Sequence, residues 1–139
     1  MADADTNLQA FEAQAQYCDA NDAPITARLC RGIAAAIDAG TETGRRILAW
    51  PGAPIADALP LRTVGGFHAL WRDGRARDLD ALFQGREADR ERIAGAVRAT
   101  LEAHDAEIAT WLGGPPQTNE PGRSAGLMAG LLVLARRFG

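Results

Sequence analysis

The sequence predicts an all-α fold: an irregular bundle of six or seven helices with an apolar C-terminal helix at its centre. Three observations lead there. Apolar residues recur every three or four positions through most of the chain, and no run alternates with period two for long enough to make a strand. Asn-Asp, Gly and Pro breaks then cut the periodic runs into pieces of helical length. With 139 residues, 47% of them hydrophobic and 24% charged, the chain is expected to form one domain, 1–139, around one core.

The elements follow in order. Thr6 and Gln9 have capping-box spacing, and Leu8, Phe11, Ala15 and Cys18 then recur at helical intervals up to Asn21 and Asp22. Pro24 suits a first helical turn, and Ile25, Leu29, Ile33 and Ile37 repeat every four residues until Gly40, which predicts a second helix. Cys18 and Cys30 fall on these apolar faces and form no C-x-x-C pair, so both are expected to be buried, reduced thiols. A short helix is expected between Thr43 and Trp50, followed by a loop containing Pro51, Gly52, Pro54 and Pro60. Leu61, Val64, Phe67, His68 and Trp71 keep one phase in a fourth helix that stops at Asp73 and Gly74. Gly65 and Gly66 interrupt it at about 1 kcal/mol each relative to Ala, so a neighbouring helix or a ligand is expected to approach the backbone there.

A brief helix from Asp78 to Phe83 ends at Gly85. The longest periodic run then sets Ile93, Val97, Leu101, Ile108 and Leu112 on one face, and Gly113 and Gly114 close it. Pro115 to Arg123 form the most individual loop of the chain. A last helix, roughly Ser124 to Phe138, reads SAGLMAGLLVLARRF. It is apolar on nearly every face, yet at about 15 residues it is too short to cross a hydrocarbon core of roughly 30 Å. It is expected to be either the central rod of the bundle or a surface that pairs with a second copy or another protein, since Gly126 and Gly130 let a backbone come close.

Composition narrows the function classes. The net charge is −3, and the fifteen basic residues, all Arg, gather into no stripe, so no nucleic-acid partner is expected. The opening Met1 to Asp5 has neither a basic nor an apolar leader region, so a cytoplasmic protein without membrane contact is expected. Two Cys and two His are too few for a convincing zinc site, and no strand precedes a Gly-rich loop, so no metal, nucleotide or other cofactor is expected.

No Ser-His-Asp, His-x-x-x-His or paired-carboxylate spacing marks a catalytic residue, and an enzymatic role is not the favoured expectation. His104 with Glu102, Asp105 and Glu107 reads as a solvated helix face. The candidate ligand-binding residues are His68, Thr118, Asn119, Glu120, Arg123 and Ser124. In the loop PPQTNEPGRS, Arg123 sits at the start of the last helix, where backbone N–H groups also point, which suits an anion. Alternatively Thr118, Asn119 or Glu120 folds back to cap that helix and neutralise Arg123. His68 shares a face with Leu61, Val64 and Trp71, which suits a histidine of the core or its rim better than a general base.

Three stretches, FEAQAQYCDANDAPITARLC (11–30), LRTVGGFHALWRDGRARDL (61–79) and QTNEPGRSAGLMAGLL (117–132), together resemble the bacterial family known as domain of unknown function 2332. The matching positions are His68, Gly74, Arg75, Thr118, Asn119, Glu120, Gly122, Arg123 and Ser124, and the resemblance attaches no catalytic role to them. Members of that family are usually more than twice this length and continue into a glycine-rich stretch similar to methyltransferase nucleotide-binding motifs. By that resemblance a cofactor site would lie beyond Gly139. The residues themselves leave two functions open: an interaction or accessory module that self-associates or docks on a partner through the last helix, or an anionic-ligand-binding or enzymatic domain using the Thr118–Arg123 loop.

Overall fold

The computed structural model describes residues 3–86 and 88–113, and every regular element within them is helical. The α-helices are α1 (Ala4–Ala20), α2 (Pro24–Ala36), α3 (Glu42–Leu48), α4 (Leu59–Arg72), α5 (Asp80–Phe83) and α6 (Arg90–Trp111), with a 3-10 turn, Arg77–Leu79, leading into α5. The all-α expectation holds. The apolar run 124–138 lies outside the described residues. Among the described residues no helix is long and apolar enough to cross a membrane.

Two boundaries differ from the sequence expectation. Helix α1 starts upstream of Thr6, because Asp3 is the cap: its Oδ1 accepts the Asp5 and Thr6 N–H groups at 3.1 and 3.3 Å. The Thr6 hydroxyl donates to the other carboxylate oxygen at 2.8 Å, so the stronger, charged acceptor has displaced the capping-box Thr. Helix α2 stops at Ala36 rather than at Gly40. Ile37 turns extended (φ −68, ψ 131), and Asp38 bends the chain by accepting the Gly40 N–H at 2.7 Å.

α1 packs along α2, and α2 along α6; Phe11, Leu29, Ile33, Val97, Leu101 and Ile108 meet in the core. α2 and α6 approach closely at Gly32, where a Cβ would stand 2.3 Å from Cγ2 of Ile93. Gly66 of α4 gives the same economy on another side: Trp111 of α6 lies over it, with Cγ 3.2 Å from where a Cβ would be. A neighbouring helix therefore answers the sequence question raised at Gly66.

α4 is the helix buried all round. Leu59 to Leu61, Thr63 to His68 and Leu70 are all buried, and residues at consecutive positions cover every face of a 3.6-residue turn. Gly74, at φ +74, ends it as the sequence predicts.

Seven residues make α3 too short to be stable alone. Both of its ends are held by other helices. At the start, Asp105 of α6 accepts the Glu42 and Thr43 N–H groups at 2.7 and 2.9 Å, while the Thr41 hydroxyl oxygen accepts the Gly44 N–H at 2.9 Å. At the finish, the buried Asn7 of α1 directs its Nδ2 donor at the carbonyls of Ile47, Leu48 and Trp50, at 3.1, 3.2 and 3.2 Å.

Candidate functional site

His68 is buried, 7% exposed. It sits beside Trp71 and Phe83, ring centroids 6.2 and 5.6 Å away, while Trp71 and Phe83 stack on each other at 4.6 Å and 18°. The indole N–H of Trp71 donates to Asp80 at 2.8 Å, which fixes the stack against α5. Burial, and then the nearby Arg72 charge, pulls the imidazole below its usual range, so it stands neutral near pH 7. The other candidate ligand-binding residues, Thr118, Asn119, Glu120, Arg123 and Ser124, lie outside the described residues. No common site with His68 is therefore described.

The approach to that loop is built around the end of α6. Arg46 donates to the carbonyl of Ala109 at 2.9 Å and to that of Gly113, and Arg62 donates to the carbonyl of Leu112 at 3.2 Å. The Ala109 carbonyl also accepts the Leu112 N–H at 3.2 Å, and two guanidinium groups from α3 and α4 add donors at the negative end of the dipole.

The residues expected to form a solvated face on α6 do more than that. His104 breaks the helical dihedrals (φ −138, ψ 28), and the next residue, Asp105, turns towards α3. Burial works against the Asp105 charge, but the Thr43 and Glu42 hydrogen bonds and the Arg45 charge outweigh it and hold the carboxyl below its usual range. Glu107 pairs with Arg75 and lies 3.7 Å from Nδ1 of His104. Other charged groups are likewise engaged: Glu12 of α1 receives both Arg31 of α2 and Arg90 of α6, and Asp57 accepts the Trp50 indole N–H at 2.8 Å. Cys18 and Cys30 are unbridged and buried, and burial pushes both thiols up, away from reactivity. Among the described residues no group of three His, Cys, Asp or Glu could hold a metal ion.

Sequence reasoning missed one concave surface. A trough of about 320 Å³ runs between α5, with its preceding 3-10 turn, and the first half of α6; Leu79, Leu82 and Ile93 are its buried apolar residues. Ala88 and Arg92 also line a neighbouring cleft of about 510 Å³ with Arg28 and Asp89, so the two concavities adjoin. Gly95 lies in the trough, and a Cβ there would meet no atom within 4 Å. That glycine, inside the longest helix and in no capping position, was the available signal.

No curated protein and no solved structure matches the chain. A family model described as "Uncharacterized protein conserved in bacteria (DUF2332)" matches residues 8–139.

Proposed function

The chain belongs to this bacterial family, and from that premise we propose that it serves as a cytoplasmic accessory module that self-associates through the apolar run 124–138. The observation that supports this reading is α4. A bundle of this size has need of few helices buried on all sides, and α4 already takes that position. The central-rod role therefore does not fall by default to residues 124–138. An apolar run left uncovered would cost roughly 1.5–3 kcal/mol for each exposed Leu or Val, which favours pairing with a second copy. The acids and bases of the described residues, meanwhile, cap helices and form ion pairs between them.

Sedimentation equilibrium of the whole chain over a wide concentration range tests the proposal. A mass that rises towards a dimer, and falls to that of the monomer in Leu131→Glu with unchanged helical circular dichroism, is the expected result. A strict monomer at every concentration, or a Leu131→Glu variant that loses its helical signal, overturns it.

A further inference from the structure

We propose that the trough and the arginine cleft form one binding site for a small amphiphile, with a carboxylate head held by Arg28 and Arg92 and an unbranched apolar tail lying over Leu79, Leu82 and Ile93. None of the residues named for this site lies in 124–138, so its test is separate from that of self-association.

Charge decides the head. Arg31 and Arg90, on the same two helices, are both matched by Glu12, and Arg31 also by Asp19. Among the described residues no such partner faces Arg28 or Arg92. The Nε of Arg28 is buried without a hydrogen-bond partner, a condition that costs free energy until an acceptor arrives. The one acid lining the cleft among the described residues, Asp89, is committed as the α6 cap, accepting the Arg92 N–H at 2.8 Å. Among the described residues, two guanidinium groups and one carboxylate leave a single positive charge, which suits a monoanion and the forked geometry of a carboxylate.

Shape decides the tail. From Arg92 to Ala99 the trough follows α6 for about 10 Å, at ~1.5 Å per residue. Its walls are Ala81, Ala88, Ala96 and Ala99, and the missing side chain at Gly95 keeps the channel open. A Gly in a helix interior costs about 1 kcal/mol against Ala, and no packing contact within the described residues requires this one. Among the described residues Asp78 is the trough's only carboxylate, so the arginine end is where an anionic head is accepted.

Isothermal titration of the full chain with octanoate, below its micelle concentration, tests the site, with acetate and octanol as probes lacking tail and charge. Octanoate is expected to saturate one site and raise the melting temperature, with acetate and octanol both binding far more weakly. Arg28→Gln and Arg92→Gln are each expected to weaken octanoate about tenfold or more, the worth of a charge-assisted hydrogen bond. Gly95→Leu fills the channel while improving helix propensity, so it should abolish binding with an unchanged or higher melting temperature. Absence of saturable octanoate binding, or equal binding by Gly95→Leu, overturns the site. Equal affinity for octanol, or indifference to both arginine substitutions, overturns the assignment of the head.

Discussion

The carboxylate of Asp105 accepts the backbone N–H of Thr43 at 2.9 Å across a separation of 62 residues, so the cap of one helix is supplied by the middle of another. Removing it leaves two N–H groups at the α3 start without an acceptor. Asp105→Ala is expected to cost about 1 kcal/mol, in the usual range for a lost cap, and Asp105→Asn less, because an amide oxygen still accepts. Urea unfolding measures both. Glu107→Ala, which removes an exposed ion pair, serves as the contrast and should fall within a few tenths of a kcal/mol of the parent.

At the other end of α3, Asn7 is 2% exposed and shares the two N–H donors of its amide among three carbonyls. Asn7→Leu is close in size but donates nothing, and is expected to destabilise by about 1–3 kcal/mol. Asn7→Asp should be worse, since it turns an acceptor towards acceptors and buries a charge. A smaller loss for Asp than for Leu in thermal unfolding would contradict this geometry.

Two glycines on facing helices give substitutions of opposite sign. Gly32→Ala drives a methyl into Ile93, whose β-branched side chain has little freedom to yield, and is expected to cost about 1–3 kcal/mol. Gly95→Ala meets open space and should stabilise by about 0.5–1 kcal/mol through helix propensity. Denaturant midpoints of the two variants, compared with the parent, decide the matter.

The pH dependence follows from His68. Its folded imidazole resists protonation, whereas the unfolded one takes a proton near pH 6.5. Below about pH 6.5 the unfolded state therefore binds more protons, and stability falls until the pH reaches the folded value of the histidine. His68→Gln is expected to flatten that part of the profile. Asp105 acts lower down: its contribution is present above the ordinary carboxylate range and lost as pH falls through its depressed folded value. Urea midpoints measured from pH 8 to pH 3 separate the two.

Much of the fold was legible because its causes are local. The four-residue repeat of Ile25, Leu29 and Ile33, and the run from Ile93 to Ile108, name the buried faces directly, and Gly74 ends α4 where its sequence says it should. What escaped depends on pairings far apart in sequence. Nothing near Asp105 says that its carboxylate caps α3, and Asp3 outcompetes Thr6 only once both are placed at one helix start. The end of α2 at Ala36 is set by the Asp38 turn rather than by Gly40. As for the candidate site, the apolar surroundings of His68 were legible from its helical phase, while the trough is a relation between α5 and α6 that a single periodicity does not encode.

The two clasps on α3 have a bearing on how the molecule opens. A stretch so short would ordinarily let its amides exchange with deuterium by local fraying, yet here opening either end first requires letting go of α1 or α6. Exchange at Ile47, buried between the clasps, should therefore track global unfolding, making this small element a gauge of whether the whole assembly of helices is intact.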